Sequence, residues 1–165
     1  MDQALKNIAP TASIARCASD GLAINVLGAP YVFKATSIET DNGFCCIEGR
    51  IPPGSGVPPH THTHEDEAFY VLAGEIILGS ADLPAPLRLG PGSFFFGPRG
   101  RRHSFRNEGG VDARILVFCV PGAGIERMFI DMDAAGRRSG GAPSMDEIFS
   151  IAARAGVMIA APAKN

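Results

Sequence analysis

His60, His62 and His64 alternate along a short stretch, Glu65, Asp66 and Glu67 follow directly, and His103 stands apart further on. These are all four histidines of the chain. Imidazole nitrogens and carboxylate oxygens brought together form a ligand set for iron, manganese, nickel, copper or zinc. On an extended segment His60 and His62 project to the same side, whereas Glu67 would fall on the other. The three converge only if the chain turns between His62 and Glu67, and the polar His64-Glu65-Asp66 segment suits that turn. Beyond it, Glu67 and Phe69 share a face. His103, arriving from another strand, completes three neutral imidazoles and one carboxylate. Such a set leaves positions open for water, dioxygen or substrate, as catalytic metals have and structural zinc sites lack. The expected cofactor is one divalent transition metal per chain.

Short strands must position these residues. From about Leu22 to Val120 the chain is a series of short apolar or alternating runs, among them Phe44–Ile51, Glu67–Ala73, His103–Arg106 and Ala113–Val120. Turn-forming breaks such as Asp41-Asn42-Gly43, Pro52-Pro53-Gly54 and Gly90-Pro91-Gly92 separate them. Many short strands with no helices between them predict an all-β antiparallel sandwich or barrel. The tail differs: Ser144 can cap a helix, Glu147 follows at capping-box spacing, and Ile148, Ile151, Ala152 and Ala155 recur helically before Gly156. One short C-terminal helix is expected, with Ala135–Ala142 as a mobile Gly/Arg-rich linker.

A chain of 165 residues reads as a single domain, 1–165, with a barrel over about 22–121, an N-terminal arm over 1–21, and a linker and helix over 122–165. Hydrophobic content of 45% is too high for disorder, and a net charge of −2 gives no reason to expect nucleic acid or an anionic membrane. The start of the chain lacks the apolar run of a signal peptide, and no stretch is long enough to span a bilayer, so a cytoplasmic location is expected. Cys17, Cys45, Cys46 and Cys119 have neither disulfide-framework nor zinc-ribbon spacing and read as small hydrophobes in a reducing compartment.

Two segments carry a family resemblance. Gly54, His60-x-His62, Glu67 and Gly74 are similar in order and spacing to the first motif of the cupin superfamily. Gly92, Pro98-x-Gly100, His103 and Asn107 are similar to the second. The stretch from Pro58 to Glu75 most resembles the small single-domain cupins named for their likeness to quercetin dioxygenases. The resemblance implies a double-stranded β-helix, or jelly-roll barrel, holding its metal through His60, His62, Glu67 and His103. It also implies a homodimer paired through outer strands, Asn107 ordering the turn after the His103 strand, and the motif glycines at turns of positive φ.

Several readings stay open at this level. His64 is an alternative ligand, a base just behind the ligands or, more simply, an exposed turn residue, with Glu65 and Asp66 beside it as solvated charges. Arg99, Arg101, Arg102 and Arg106 are either loop charges or an anion pocket steering substrate to the metal, with Arg101 the leading candidate because it shares the parity of His103. Phe33, Phe44, Phe69, Phe94, Phe96, Phe105 and Phe118 are candidates for the barrel lining. The expected activity is that of a metal-dependent oxidoreductase of dioxygenase type on a small aromatic or enolisable substrate, with Glu67 as both ligand and catalytic base. The alternative is a small-molecule-binding or sensor cupin, or an isomerase or lyase using the same ligands.

Overall fold

The computed structural model describes residues 12–160. The beginning of the expected N-terminal arm and the last five residues lie outside them. Eleven strands and two helices follow one another: β1 (Leu22–Val26), β2 (Ala29–Ala35), β3 (Cys45–Ile51), β4 (Gly56–His62), β5 (Asp66–Ala73), β6 (Ile76–Ser80), β7 (Leu87–Leu89), β8 (Phe94–Gly97), β9 (His103–Arg106), β10 (Ala113–Val120), α1 (Ala123–Ser139), α2 (Met145–Arg154) and β11 (Val157–Ile159). They form a six-stranded sheet in the order β1-β2-β3-β10-β5-β8 and a five-stranded sheet in the order β11-β4-β9-β6-β7. All observed pairings are antiparallel. From β3 to β6 the chain crosses between the sheets at each step, and again from β7 to β10, which is the winding of a double-stranded β-helix.

The core lies between the sheets, and strand alternation feeds it. On β5 Glu67, Phe69 and Val71 are buried while Tyr70 is exposed, and on β10 Ala113, Ile115, Val117 and Cys119 point inward. Gly54, Gly74, Gly92 and Gly100 all adopt positive φ. At Gly74 a side chain would also run into the Asp112 carbonyl and Ala113, so both backbone geometry and space require glycine there.

The C-terminal region departs from the expectation of a linker and one helix. Residues 123–139 form α1, and Ala135–Ser139, expected as part of the linker, are its last turn. Its apolar side chains Ile125, Phe129 and Met132 recur at helical spacing, which is the signal that the Gly- and Arg-rich composition obscured. Gly140 closes it in the left-handed region. The backbone N–H of Ala123 finds the Asn42 side chain at 2.9 Å, since Gly122 has no side chain with which to cap. α1 lies against β1 and β3, and Phe129 packs edge-on to Tyr31 at 5.1 Å. The second helix forms as expected, with the Ser144 hydroxyl accepting from the Glu147 N–H at 3.2 Å and Gly156 at positive φ after its end. Instead of completing a capping box, the Glu147 carboxylate pairs with Arg138. The chain then returns as β11 along the edge of β4.

Candidate metal centre

The centre is built where the two sheets face each other. β4 carries His60 and His62 inward, Thr63–Glu65 turns the chain from one sheet to the other, and β5 begins with Glu67 facing back toward the histidines. β9 lies antiparallel to β4 with His103 directly opposite His60. On its other edge β4 is held by β11, which pairs Val157 with His62 and Ile159 with His60. One potential ligand atom from each of His60, His62, Glu67 and His103 lies within 4.8 Å of every other, and all four residues are buried.

Hydrogen bonding decides which atoms face the centre. His60 Nδ1 lies 2.9 Å from the Pro58 carbonyl and His103 Nδ1 lies 3.1 Å from the Arg101 carbonyl. A carbonyl only accepts, so both rings carry a proton on Nδ1 and turn Nε2 inward, where His60 presents a lone pair and His103 Nε2–H donates to the Glu67 carboxylate, a proton that a metal would replace. The inward atoms crowd together: His60 Nε2 is 3.0 Å from His62 Nε2, and Glu67 Oε2 is 2.8 Å from His103 Nε2 and 3.4 Å from His62 Nε2. Ligand atoms about 2.1 Å from one metal stand about 3 Å apart when adjacent, so this spacing suits a divalent ion. So does the chemistry, since lone pairs and a carboxylate converge with too few protons to share. Burial alone would raise the Glu67 carboxyl, but hydrogen bonds from His103 and His62 outweigh it and hold Glu67 ionised, below the usual carboxylate range. Burial pushes His60 down to about 4 and keeps that imidazole neutral.

Aromatic rings floor the centre. Phe69 and Phe95 stand 5.9 and 5.4 Å from the His103 ring, and Phe105 packs on Phe69 at 5.3 Å. Gly97 leaves the space for Phe95 and His103, because a Cβ there would crowd both rings. Phe95 and Gly97 were not among the expected lining residues. Of those that were, Phe33, Phe69 and Phe105 are buried, whereas Phe94 and Phe96 point outward at 62% and 54% exposure. The reason is register: β8 pairs Phe95 with Phe69 and Gly97 with Glu67, which turns Phe94 and Phe96, opposite Tyr70 and Ala68, to the outer face. Phe44 and Phe118 also meet on the outside, 6.2 Å apart.

His64 is exposed in the turn, but Glu65 is not a solvated charge. It is only 2% exposed, folded under the first turn of α1, an element the local sequence gave no reason to place there. Asp66 is held by Arg99, whose guanidinium and backbone N–H keep its carboxyl down at about 2. Arg101 does not reach toward the centre as its parity predicted, but pairs with Asp82 on the surface. Arg102 has no carboxylate partner among the described residues and lines a cleft of about 740 Å³. His103, Ser80, Pro58, Met145, Phe149 and Ile159 also line it, so the cleft lies between α2 and the strands that carry the centre. Arg106 lines a smaller cleft of about 440 Å³. Asn107 is fully buried and, as expected, ties the turn after β9: its amide donates to the Ile51 and Val111 carbonyls at 2.8 Å and accepts from Gly109 N–H at 2.9 Å.

Comparison with known proteins agrees with this geometry. The family described as "Cupin domain" matches residues 48–119. Protein SchB from Streptomyces halstedii is 38% identical over 71 residues, which cover 43% of this chain and 50% of that protein. An oxalate-binding protein from Thermotoga maritima is 32% identical over 71 residues, covering 43% of this chain and 57% of that protein. The chain thus spans about half the length of the curated relatives it matches. Among solved structures, the polyketide cyclase RemF from Streptomyces resistomycificus is similar with a TM-score of 0.56 and 25% identity, over 66% of this chain and 80% of that one.

Proposed function

We propose, from the premise that residues 48–119 are a cupin domain, that this chain is a metal-dependent enzyme of dioxygenase type acting on a small enolisable or aromatic substrate. The observation that carries the reading is the buried set of His60, His62, Glu67 and His103, whose ligand atoms lie within 4.8 Å of one another; a cleft of about 740 Å³, with apolar Pro58, Met145, Phe149 and Ile159 and with Arg102 in its wall, meets this set at His103 alone. His60, His62, Glu67 and His103 would hold one divalent transition metal, which supplies Lewis acidity and open positions for a chelating oxygen. The apolar walls would hold the body of the substrate away from water, and Arg102 would favour its enolate or phenolate form by charge. Glu67, the one carboxylate of the set, would be the group to take the proton released as that anion forms.

A second reading keeps the substrate class and drops the oxygen. The likeness to a polyketide cyclase favours non-oxidative chemistry, ring closure or isomerisation, at the same centre. Metal-loaded protein incubated with flavonols, catechols and β-diketones separates the two. Oxygen uptake that disappears in His62→Ala, with folding intact, supports the dioxygenase. Substrate conversion without oxygen uptake supports the second reading. Tight ligand binding with no conversion under either condition would leave a binding protein and sink both.

Two further expectations belong to the proposal. Tyr70, Leu72, Phe94, Phe96 and Val120 form an exposed apolar face on the six-stranded sheet, which supports a homodimer formed through that face. The free cysteines, three of them buried, support a reducing compartment such as the cytoplasm. Among the described residues no helix is long and apolar enough to cross a membrane.

A further inference from the structure

The three histidines of the centre differ on their outward side. His60 and His103 each have a backbone carbonyl for their Nδ1 proton, whereas His62 has none. Only two buried side-chain polar atoms among the described residues lack a hydrogen-bond partner, His62 Nδ1 and Glu65 Oε2, and they lie 4.0 Å from each other. Buried polar atoms are rarely left unpaired, and two that face one another have the same explanation. Once Nε2 of His62 coordinates, its remaining proton must sit on Nδ1 and needs an acceptor, and Glu65 is the group beside it.

We infer that Glu65 is a positioning residue of the metal centre, accepting the Nδ1 proton of His62 and so fixing that ring and strengthening it as a ligand. The inference rests on the metal-centre reading above. A second observation supports it. Gly124, in the first turn of α1, is where Glu65 Oε1 lies, and a Cβ at that position would overlap the oxygen. The start of α1 also carries the positive end of the helix dipole, which favours a carboxylate there. The space for Glu65 is thus made by a helix outside the matched family region, so the tail of the chain takes part in the centre.

Three variants test this with added Co²⁺, read by competition affinity and by the visible spectrum of the bound ion. Glu65→Gln keeps the size of the side chain and removes its charge, and Glu65→Ala removes the acceptor altogether. Gly124→Ala touches no ligand and favours the helix, but it must push the Glu65 carboxylate aside. Each is expected to weaken cobalt binding by about 10- to 100-fold, with Glu65→Ala the most affected, and to alter the ligand-field bands while circular dichroism is unchanged. If Glu65→Ala fails to fold, Gly124→Ala and Glu65→Gln still decide the matter. Wild-type affinity and spectrum in those two would overturn the role of Glu65 and leave the centre standing. A wild-type protein that takes up no cobalt would overturn the centre itself, and this role with it.

Discussion

Strands β5 and β8 place aromatic rings on both faces of the six-stranded sheet, and the two sets have different surroundings. Inside, Phe69 and Phe95 sit against His103 and Phe105, and Phe69 is 1% exposed. Outside, Tyr70, Phe94 and Phe96 are each more than two-fifths exposed. Residues of the same type, one position apart, therefore do different work. The inner rings pack around His103, and the outer rings are exposed. Composition alone would treat all of them as core, and register separates them.

The inner face should be the more sensitive to substitution. Phe69→Ala removes a fully buried ring from beneath His103 and is expected to cost about 3–5 kcal/mol in urea unfolding. A cost near zero would mean that the inner face is not packed as described. The outer face should respond differently. Phe94→Ser with Phe96→Ser should change the stability of dilute monomer by no more than about 0.5 kcal/mol each, yet convert a dimer to monomer in sedimentation. A wild type that is monomeric at every concentration, or a double variant that still dimerises, would remove the proposed use of that face.

The smallest effect lies at the border of the outer face, where Arg16 pairs with Glu39 beside Phe44 and Leu116. Hydrogen bonds from Arg16 and from Thr36 hold the Glu39 carboxyl down at about 2. Because the folded value lies below the unfolded one, the contribution is complete above the ordinary carboxylate range and is lost as pH falls toward about 2. The stability advantage of wild type over Glu39→Gln should therefore shrink between about pH 6 and pH 3, by a modest amount for so exposed a pair. An advantage that grows on acidification would contradict the assignment.

What could be read from the sequence follows the same divide. β5 was legible because Glu67, Phe69 and Val71 alternate with residues that face out, and the cluster of four was legible because strand parity puts His60 and His62 on one side and a turn at His64 lets Glu67 meet them. Phe94-Phe95-Phe96 has no alternation, so its facing depends entirely on pairing with β5. β11 is three residues long and takes its place from its pairing with β4. Glu65 looked solvated because its neighbours are polar, and its burial depends on α1, more than fifty residues away in the chain. Arg101 and Arg102 were distinguishable only once Asp82 was seen to occupy the first. Local pattern named what the strands themselves orient, while long-range contacts decided the rest.

Four buried side chains from β4, β5 and β9 stand together as one proposed metal centre. Its most direct test is the metal content of purified protein, by elemental analysis, for wild type and for His103→Ala after equilibration with a divalent transition metal. About one ion per chain is expected in the wild type and near none in a folded His103→Ala protein. A folded His103→Ala protein that retains the wild-type stoichiometry and affinity would contradict it.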